Sequence, residues 1–248
     1  MLNIKHYSSY DELSLDVANQ IFNKITSGLS KKGKFTLGLA TGNSPRGIYK
    51  RLISRLGSNH IDLSNLYTFS LDEYYPMSRS ASQSFYDEIT HHTFGAPLLF
   101  ANSTFRIENM HVLDGSAVNF AKECAEYEMK IKKIGGIDLQ ILGLGPNGHI
   151  GFNEPGSTGD SRTRKIKLSQ STREKSKYTF DNEINRVPEY GLTMGVGTIL
   201  EAEEIILIVT GKGKDQVFKK LKLLSQPIID LPASWLLCHN NVNSYTNL

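Results

Sequence analysis

The chain has 248 residues, 39% of them hydrophobic and 21% charged, a balance that excludes disordered and fibrous classes. A net charge of +3 without a long basic run implies no nucleic-acid or membrane partner, while leaving room for a local anion site. Cys124 and Cys238 lie far apart, outside any CxxC or zinc spacing, and read as two buried thiols rather than a disulfide framework.

Residues 1–16 lack the basic-then-apolar pattern of a secretion signal. No apolar run approaches the roughly 20 residues that span a bilayer. A soluble, cytoplasmic protein is expected. Residues 11–25 place Leu13, Val17, Ile21 and Ile25 at i, i+4 spacing, which predicts an amphipathic helix. Residues 35–40 (FTLGLA) form a short continuous apolar run, as do 66–71 (LYTFSL), 138–144 (DLQILGL) and 205–210 (IILIVT). Runs of this kind suit strands buried on both faces of a parallel sheet. Residues 44–56 predict a helix with Ser44 as N-cap and Pro45 at its first position. Residues 117–134 and 214–224 are further amphipathic helices, and 156–163 (GSTGDSRT) is a mobile loop. After Pro232 the pattern fits one last strand or an irregular tail. Strands alternating with helices predict an α/β sandwich with a largely parallel sheet, as one domain over residues 1–248.

In such sheets ligands sit outside the carboxyl ends of the strands. Each apolar run here is followed by a polar or glycine-rich cluster, and these could converge on one cleft. Thr41, Gly42, Asn43 and Ser44 join a strand to a helix, offering hydroxyls and free N–H groups to an anion. The pattern is neither a Walker A loop nor a dinucleotide fingerprint, and an ordinary capped turn is the competing reading. Lys214 opens a helix, where a cation opposes the helix dipole, so an anion partner is one explanation and a solvated side chain the other. Asp72 and Glu73 end the second run, as candidate bases or as a cap or salt bridge. Residues 143–155 (GLGPNGHIGFNEP) carry the strongest signal. Glycines admit a ligand to the backbone, His149 can move protons near neutral pH, and Glu154 can support its charged form. No HExxH motif or Cys/His ligand spacing suggests a metal, and no GxSxG elbow suggests a serine nucleophile.

Taken together, LGLATGNSP, SLDEYYP, LGLGPNGHIGFNEPG, SRTR, STRE, VPEYGLTMGVGTIL, TGKGK and LPAS make the chain resemble the glucosamine-6-phosphate deaminase/isomerase family over nearly its whole length. The resemblance implies a Rossmann-like three-layer sandwich. It also implies conversion of glucosamine 6-phosphate and water to fructose 6-phosphate and ammonia, without a metal or organic cofactor. By the same resemblance, Asp72 matches the base that moves a proton from C2 to C1. His149 matches the residue that assists ring opening, and Glu154 its carboxylate partner. Asn147 stands where some members have Asp; lacking charge, it can only orient, so support for a charged His149 falls to Glu154. Thr41, Gly42, Arg173 and Lys214 match phosphate-binding positions, with Asn43 and Ser44 in the same loop. The implied partner is an amino-sugar phosphate, and since members range from monomers to hexamers, a homo-oligomer is left open.

Some residues depart from the family pattern. Asn43 replaces the more usual Gly or Ser, and Tyr75-Pro76 is an unusual flank for the base. Members activated by an N-acetylated sugar phosphate use a site that Ser157 and Arg164 resemble in part. Ile166 falls where a lysine would be expected, so this activation is expected to be absent. Three rival readings stand beside the main one. They are a galactosamine-6-phosphate deaminase/isomerase, a 6-phosphogluconolactonase, and a non-catalytic sugar-phosphate sensor.

Overall fold

The computed structural model describes residues 2–248. In chain order the elements begin with β1 (Asn3–His6), α1 (Tyr10–Lys32), β2 (Phe35–Leu39), α2 (Asn43–Ser58), β3 (Leu66–Ser70) and β4 (Asp72–Tyr75). Next come α3 (Phe85–Asp87), a π-helical turn (Glu88–Thr93), α4 (Gly95–Ala101), β5 (Met110–His111), α5 (Phe120–Ile134) and β6 (Leu139–Gly143). The rest comprises β7 (Arg164–Lys167), α6 (Gln170–Ser176), β8 (Tyr190–Thr193), α7 (Val196–Leu200), β9 (Ile205–Val209), α8 (Asp215–Leu223) and β10 (Val242–Thr246), with short 3-10 turns between.

Seven strands form one parallel sheet in the order β1-β10-β9-β6-β2-β3-β5. The four apolar runs are its centre, and every residue of β2 and β9 is buried, as strands covered by helices on both faces require. The last segment resolves to β10, which lies inside the sheet between β1 and β9. Its sequence, VNSYT, carries the polar Ser244 and Thr246 into the core, which is why its pattern reads weakly.

Local chemistry sets the helix ends. In α1 the Ser9 side chain accepts from the Glu12 N–H, acids fill the first turn, and Gly33 ends it at φ 71°. Leu13, Val17, Ile21 and Ile25 are buried on one face, as their spacing predicts. Helix α2 differs from expectation: its N-cap is Gly42, at φ 84°, not Ser44, and no side chain caps it. The first turn therefore keeps its N–H groups for something else. The 156–163 segment is a loop, but a tethered one. Trp235 donates to the Ser157 carbonyl at 3.0 Å, and Arg162 pairs with Glu128 and Glu201.

A second, antiparallel sheet in the order β4-β8-β7 was not foreseen. It places Asp72 opposite Thr193, and Thr193 opposite Arg164. Beneath it a small cluster of Tyr74, Phe152, Leu168, Phe180 and Val187 forms a separate core. This sheet positions the site, because only Leu71 separates the end of β3 from the start of β4, which holds Asp72 at the carboxyl edge of the main sheet.

Candidate active site

A cavity of about 860 Å³ opens at the carboxyl ends of β2, β3, β6 and β9. Its wall brings together the Thr41–Ser44 loop, Asp72, His149 and Lys214, so the four clusters do converge.

Asp72 is 6% exposed, and its Oδ1 has no hydrogen-bond partner among the described residues. Burial, then the neighbouring Glu73 and Glu88, push its carboxyl well above the usual range. Gly151, at φ 56°, lets the His149 loop lie against it. A Cβ there would sit 3.0 Å from Thr193 Oγ1 and 3.5 Å from Asp72 Oδ2. Glu73 points the other way. Its carboxylate accepts N–H bonds from Tyr74 at 2.8 Å, Phe85 at 3.0 Å and Tyr86 at 2.8 Å. Burial still raises it to about 7 against those three bonds. For Glu73 the capping alternative is the one realised.

The histidine is held by backbone. A Cβ on Gly145 would lie 2.3 Å from the imidazole ring, so this loop closes over His149 only with glycine there. Nδ1 lies 3.9 Å from Glu154 Oε2 and 3.3 Å from Thr172 Oγ1. Glu154 is thus within electrostatic reach but beyond hydrogen-bonding distance. Its Oε2 instead accepts from Asn147 Nδ2 at 2.7 Å, and its Oε1 from the Ser169 N–H at 3.0 Å. Asn147 Oδ1 in turn accepts from the His149 backbone N–H at 3.2 Å. The asparagine therefore orients the acid and the loop rather than the ring. Burial pulls the imidazole down to about 4, opposed by Glu154 and reinforced by Lys214 and Lys175. The expected support from Glu154 exists, but desolvation outweighs it, and the ring is neutral at pH 7.

At the cation end, Lys214 immediately precedes α8 rather than opening it, and its Nζ lies 3.2 Å from Ser44 Oγ. Ser44 Oγ also accepts from Thr210 Oγ1 at 3.1 Å. Burial and the nearby Lys175 lower the Lys214 ammonium to about 8. Tyr10 pins the loop, donating to the Ser44 carbonyl at 2.8 Å and accepting from the Gly47 N–H at 3.0 Å.

The model of the glucosamine-6-phosphate isomerases/6-phosphogluconolactonase family matches residues 8–244. The chain belongs to this family. A glucosamine-6-phosphate deaminase of Lysinibacillus sphaericus is 43% identical over 235 residues, 95% of this chain and 94% of that one. A glucosamine-6-phosphate deaminase of Clostridium novyi is 39% identical over 97% of this chain and 95% of its own. Among solved structures, a monomeric glucosamine-6-phosphate deaminase superposes with a TM-score of 0.91 at 32% identity, covering 99% of this chain and 97% of that one. A 6-phosphogluconolactonase of Shewanella baltica reaches 0.77 at 18% identity over 100% and 98% of the two chains, a likeness of fold alone.

Not every family position reaches the cavity. Arg173 does not line it: Nη2 donates to the carbonyls of Ile184 at 2.9 Å and Val187 at 3.0 Å. Lys175, further along α6, lines the cavity in its stead. Thr172, Lys175, Arg46 and Glu88 also belong to the wall and escaped the sequence reading. Only Thr172 stood inside a motif; the others look like ordinary helical surface residues. The Arg164 guanidinium lies outside this wall, donating to Asn153 Oδ1 at 2.9 Å and Ser157 Oγ at 2.9 Å. Among the described residues, no three His, Cys, Asp or Glu side chains are grouped to hold a metal. Nor is any helix there long and apolar enough to cross a membrane.

Proposed function

We propose that the chain is a glucosamine-6-phosphate deaminase, converting glucosamine 6-phosphate and water to fructose 6-phosphate and ammonia. The observation that carries this reading is an unpartnered buried carboxylate, Asp72, on the same cavity as a cationic, uncapped helix start and a neutral histidine. A cytoplasmic location and a single catalytic domain over residues 1–248 go with it. All groups invoked come from one chain, so no second copy is needed for chemistry.

The phosphate belongs at Thr41, Gly42, Asn43 and Ser44, with Lys214 as its cation. Binding there spends remote interaction energy on fixing C1 and C2 beside Asp72. Neutral His149 can take the proton of the C1 hydroxyl and return one to the ring oxygen, opening the ring. Glu154, held in place by Asn147 and Ser169, stabilises the imidazolium that forms between those steps. Asp72 then removes the C2 proton and delivers it to C1, which one carboxylate over two adjacent carbons can do, while the C2 ammonium gives up one proton and the C1 oxygen takes one up, leaving a C1 hydroxyl and a C2 iminium. The resulting C2 iminium adds water and loses ammonia. Arg173 joins the phosphate only if its guanidinium leaves the Ile184 and Val187 carbonyls.

Asp72 also favours an amino sugar over a lactone. It faces the cavity, and a C2 ammonium there is the counter-charge that ionises a buried carboxyl. The galactosamine epimer differs only at C4 and is the second reading to keep in the test. Ammonia release is to be measured from both amino-sugar phosphates, with 6-phosphogluconolactone hydrolysis alongside. Turnover of glucosamine 6-phosphate with the higher kcat/KM is expected. Preference for the galactosamine substrate, or hydrolysis of the lactone alone, would overturn the assignment.

A further inference from the structure

One charged pair on the cavity wall has no part in the scheme above. Arg46 stands in the first turn of α2, and Glu88 begins the π-helical turn; both line the cavity. Glu88 Oε1 accepts from Arg46 Nη2 at 3.0 Å and Nε at 3.2 Å. The same oxygen takes the backbone N–H of Gly42 at 3.4 Å, a longer bond. The Glu88 side chain is 18% exposed, and that of Arg46 is 50% exposed. These three donors are the only hydrogen-bond partners of the Glu88 carboxylate among the described residues.

Gly42 is the residue that starts the anion loop. A carboxylate is therefore already seated on a donor assigned to the phosphate. It is tied there by a guanidinium whose fork fits a phosphate as well as a carboxylate. A phosphate ester brings close to two negative charges and three acceptor oxygens, against one charge and two oxygens for the carboxylate. The two anions cannot share Gly42 and Arg46 without strong like-charge repulsion.

We propose that Arg46 is a further phosphate ligand, and that Glu88 competes with the substrate's phosphate for Arg46 and for the Gly42 N–H. The proposal rests on the phosphate assignment made above. It makes Glu88 a built-in counter-anion that the phosphate must displace, so weakly held anions are screened out. Glu88 begins a π-helical turn, a local geometry that recurs at functional sites.

The test uses the whole protein and two substitutions of opposite expected sign. Calorimetric Kd values are measured for inorganic phosphate and fructose 6-phosphate, together with KM for ammonia release. Glu88→Gln, which removes the competing charge, is expected to tighten all three by about two- to fivefold, the scale of a partly exposed ion pair. Arg46→Gln is expected to weaken all three by about the same factor. A general loss of folding cannot move the two variants in opposite directions. Phosphate binding that Glu88→Gln leaves unchanged or weakens would overturn the proposal, as would binding indifferent to Arg46→Gln. Wild-type protein that binds neither ligand would overturn it together with the phosphate assignment. Phosphate binding that follows both substitutions, without release of ammonia, would sink the deaminase reading and leave the competition standing.

Discussion

Asp72 and Glu73 are adjacent acids on one short strand, and they have opposite fates. The Glu73 carboxylate is wrapped by three backbone N–H groups and stitches β4 to the start of α3. The Asp72 carboxylate has one oxygen with no partner and faces the cavity. Both are buried and both are pushed up, but for Glu73 the protein supplies compensating N–H groups, and for Asp72 Oδ1 it supplies none among the described residues. Strand geometry alone produces the split, because successive side chains point to opposite faces. A buried acid with full hydrogen bonding serves the fold, whereas one without it costs stability and is kept for chemistry.

The largest test of this contrast is Asp72→Asn. Loss of a general base is expected to lower C2 proton exchange and ammonia release by about 10²- to 10⁴-fold. The same change should raise the melting temperature at neutral pH. The sign follows from linkage: the Asp72 carboxyl holds its proton more tightly folded than unfolded, so its ionisation erodes stability as pH rises above the ordinary carboxylate range. A variant that both exchanges the C2 proton normally and melts lower would remove Asp72 from its role.

At the other end of the cavity, Lys214 extends the comparison to a cation whose charge is likewise suppressed by burial. Lys214→Gln is expected to raise KM about 10- to 100-fold, the loss of a charge-assisted hydrogen bond to phosphate. Its depressed value of about 8 gives a second signature. Above pH 8 a bound phosphate should draw a proton onto Lys214, visible as calorimetric heats that depend on buffer ionisation enthalpy. Equal proton uptake in Lys214→Gln would show that another group takes the proton. Arg173→Ala is expected to shift KM less than Lys214→Gln, since its guanidinium is committed to two carbonyls. A larger shift would mean that α6 rearranges to bring Arg173 to the phosphate.

Glu73→Gln should act on the fold instead. An amide oxygen can keep some of the three N–H bonds, but its NH₂ would face at least one donor. A cost of about 1–3 kcal/mol, read as a lower denaturant midpoint, is expected from that mismatch. A loss of proton exchange as deep as that of Asp72→Asn would erase the distinction between the two acids.

The same contrast marks what could be read without coordinates. The parallel core was legible because β2, β3, β6 and β9 are continuous apolar runs with helices between them. That the 41–44 loop and the His149 segment line one cavity was legible because their glycines and polar residues directly follow those runs. The antiparallel sheet was not: β7 is RKIK and β8 is YGLT, four residues each, without clear alternation. Neither was the direction of Asn147, whose amide reaches an acid seven positions on through a fold of the loop. Arg46, Glu88 and Lys175 carry no local sequence signal, because only tertiary packing turns a helical surface position into a cavity wall.

The smallest expected effect is a null one, at the Arg164 position. An N-acetylated sugar phosphate is an anion, and a site that receives it at Arg164 needs that guanidinium free. Here the Arg164 guanidinium is already occupied by Asn153, Ser157 and the Arg162 carbonyl, and burial lowers its pKa from the ordinary arginine value. Ile166, two residues on along β7, offers no charge in place of the expected lysine. Asn153 is itself fully used, donating to the carbonyls of Ile150 and Met194, so releasing Arg164 would leave a buried acceptor unpaired. Adding N-acetylglucosamine 6-phosphate should therefore leave the curve of ammonia release against substrate hyperbolic and its KM unchanged. A sharp rise in activity at low substrate would mean that this arginine trades its internal partners for a ligand, as Glu88 is proposed to do across the cavity.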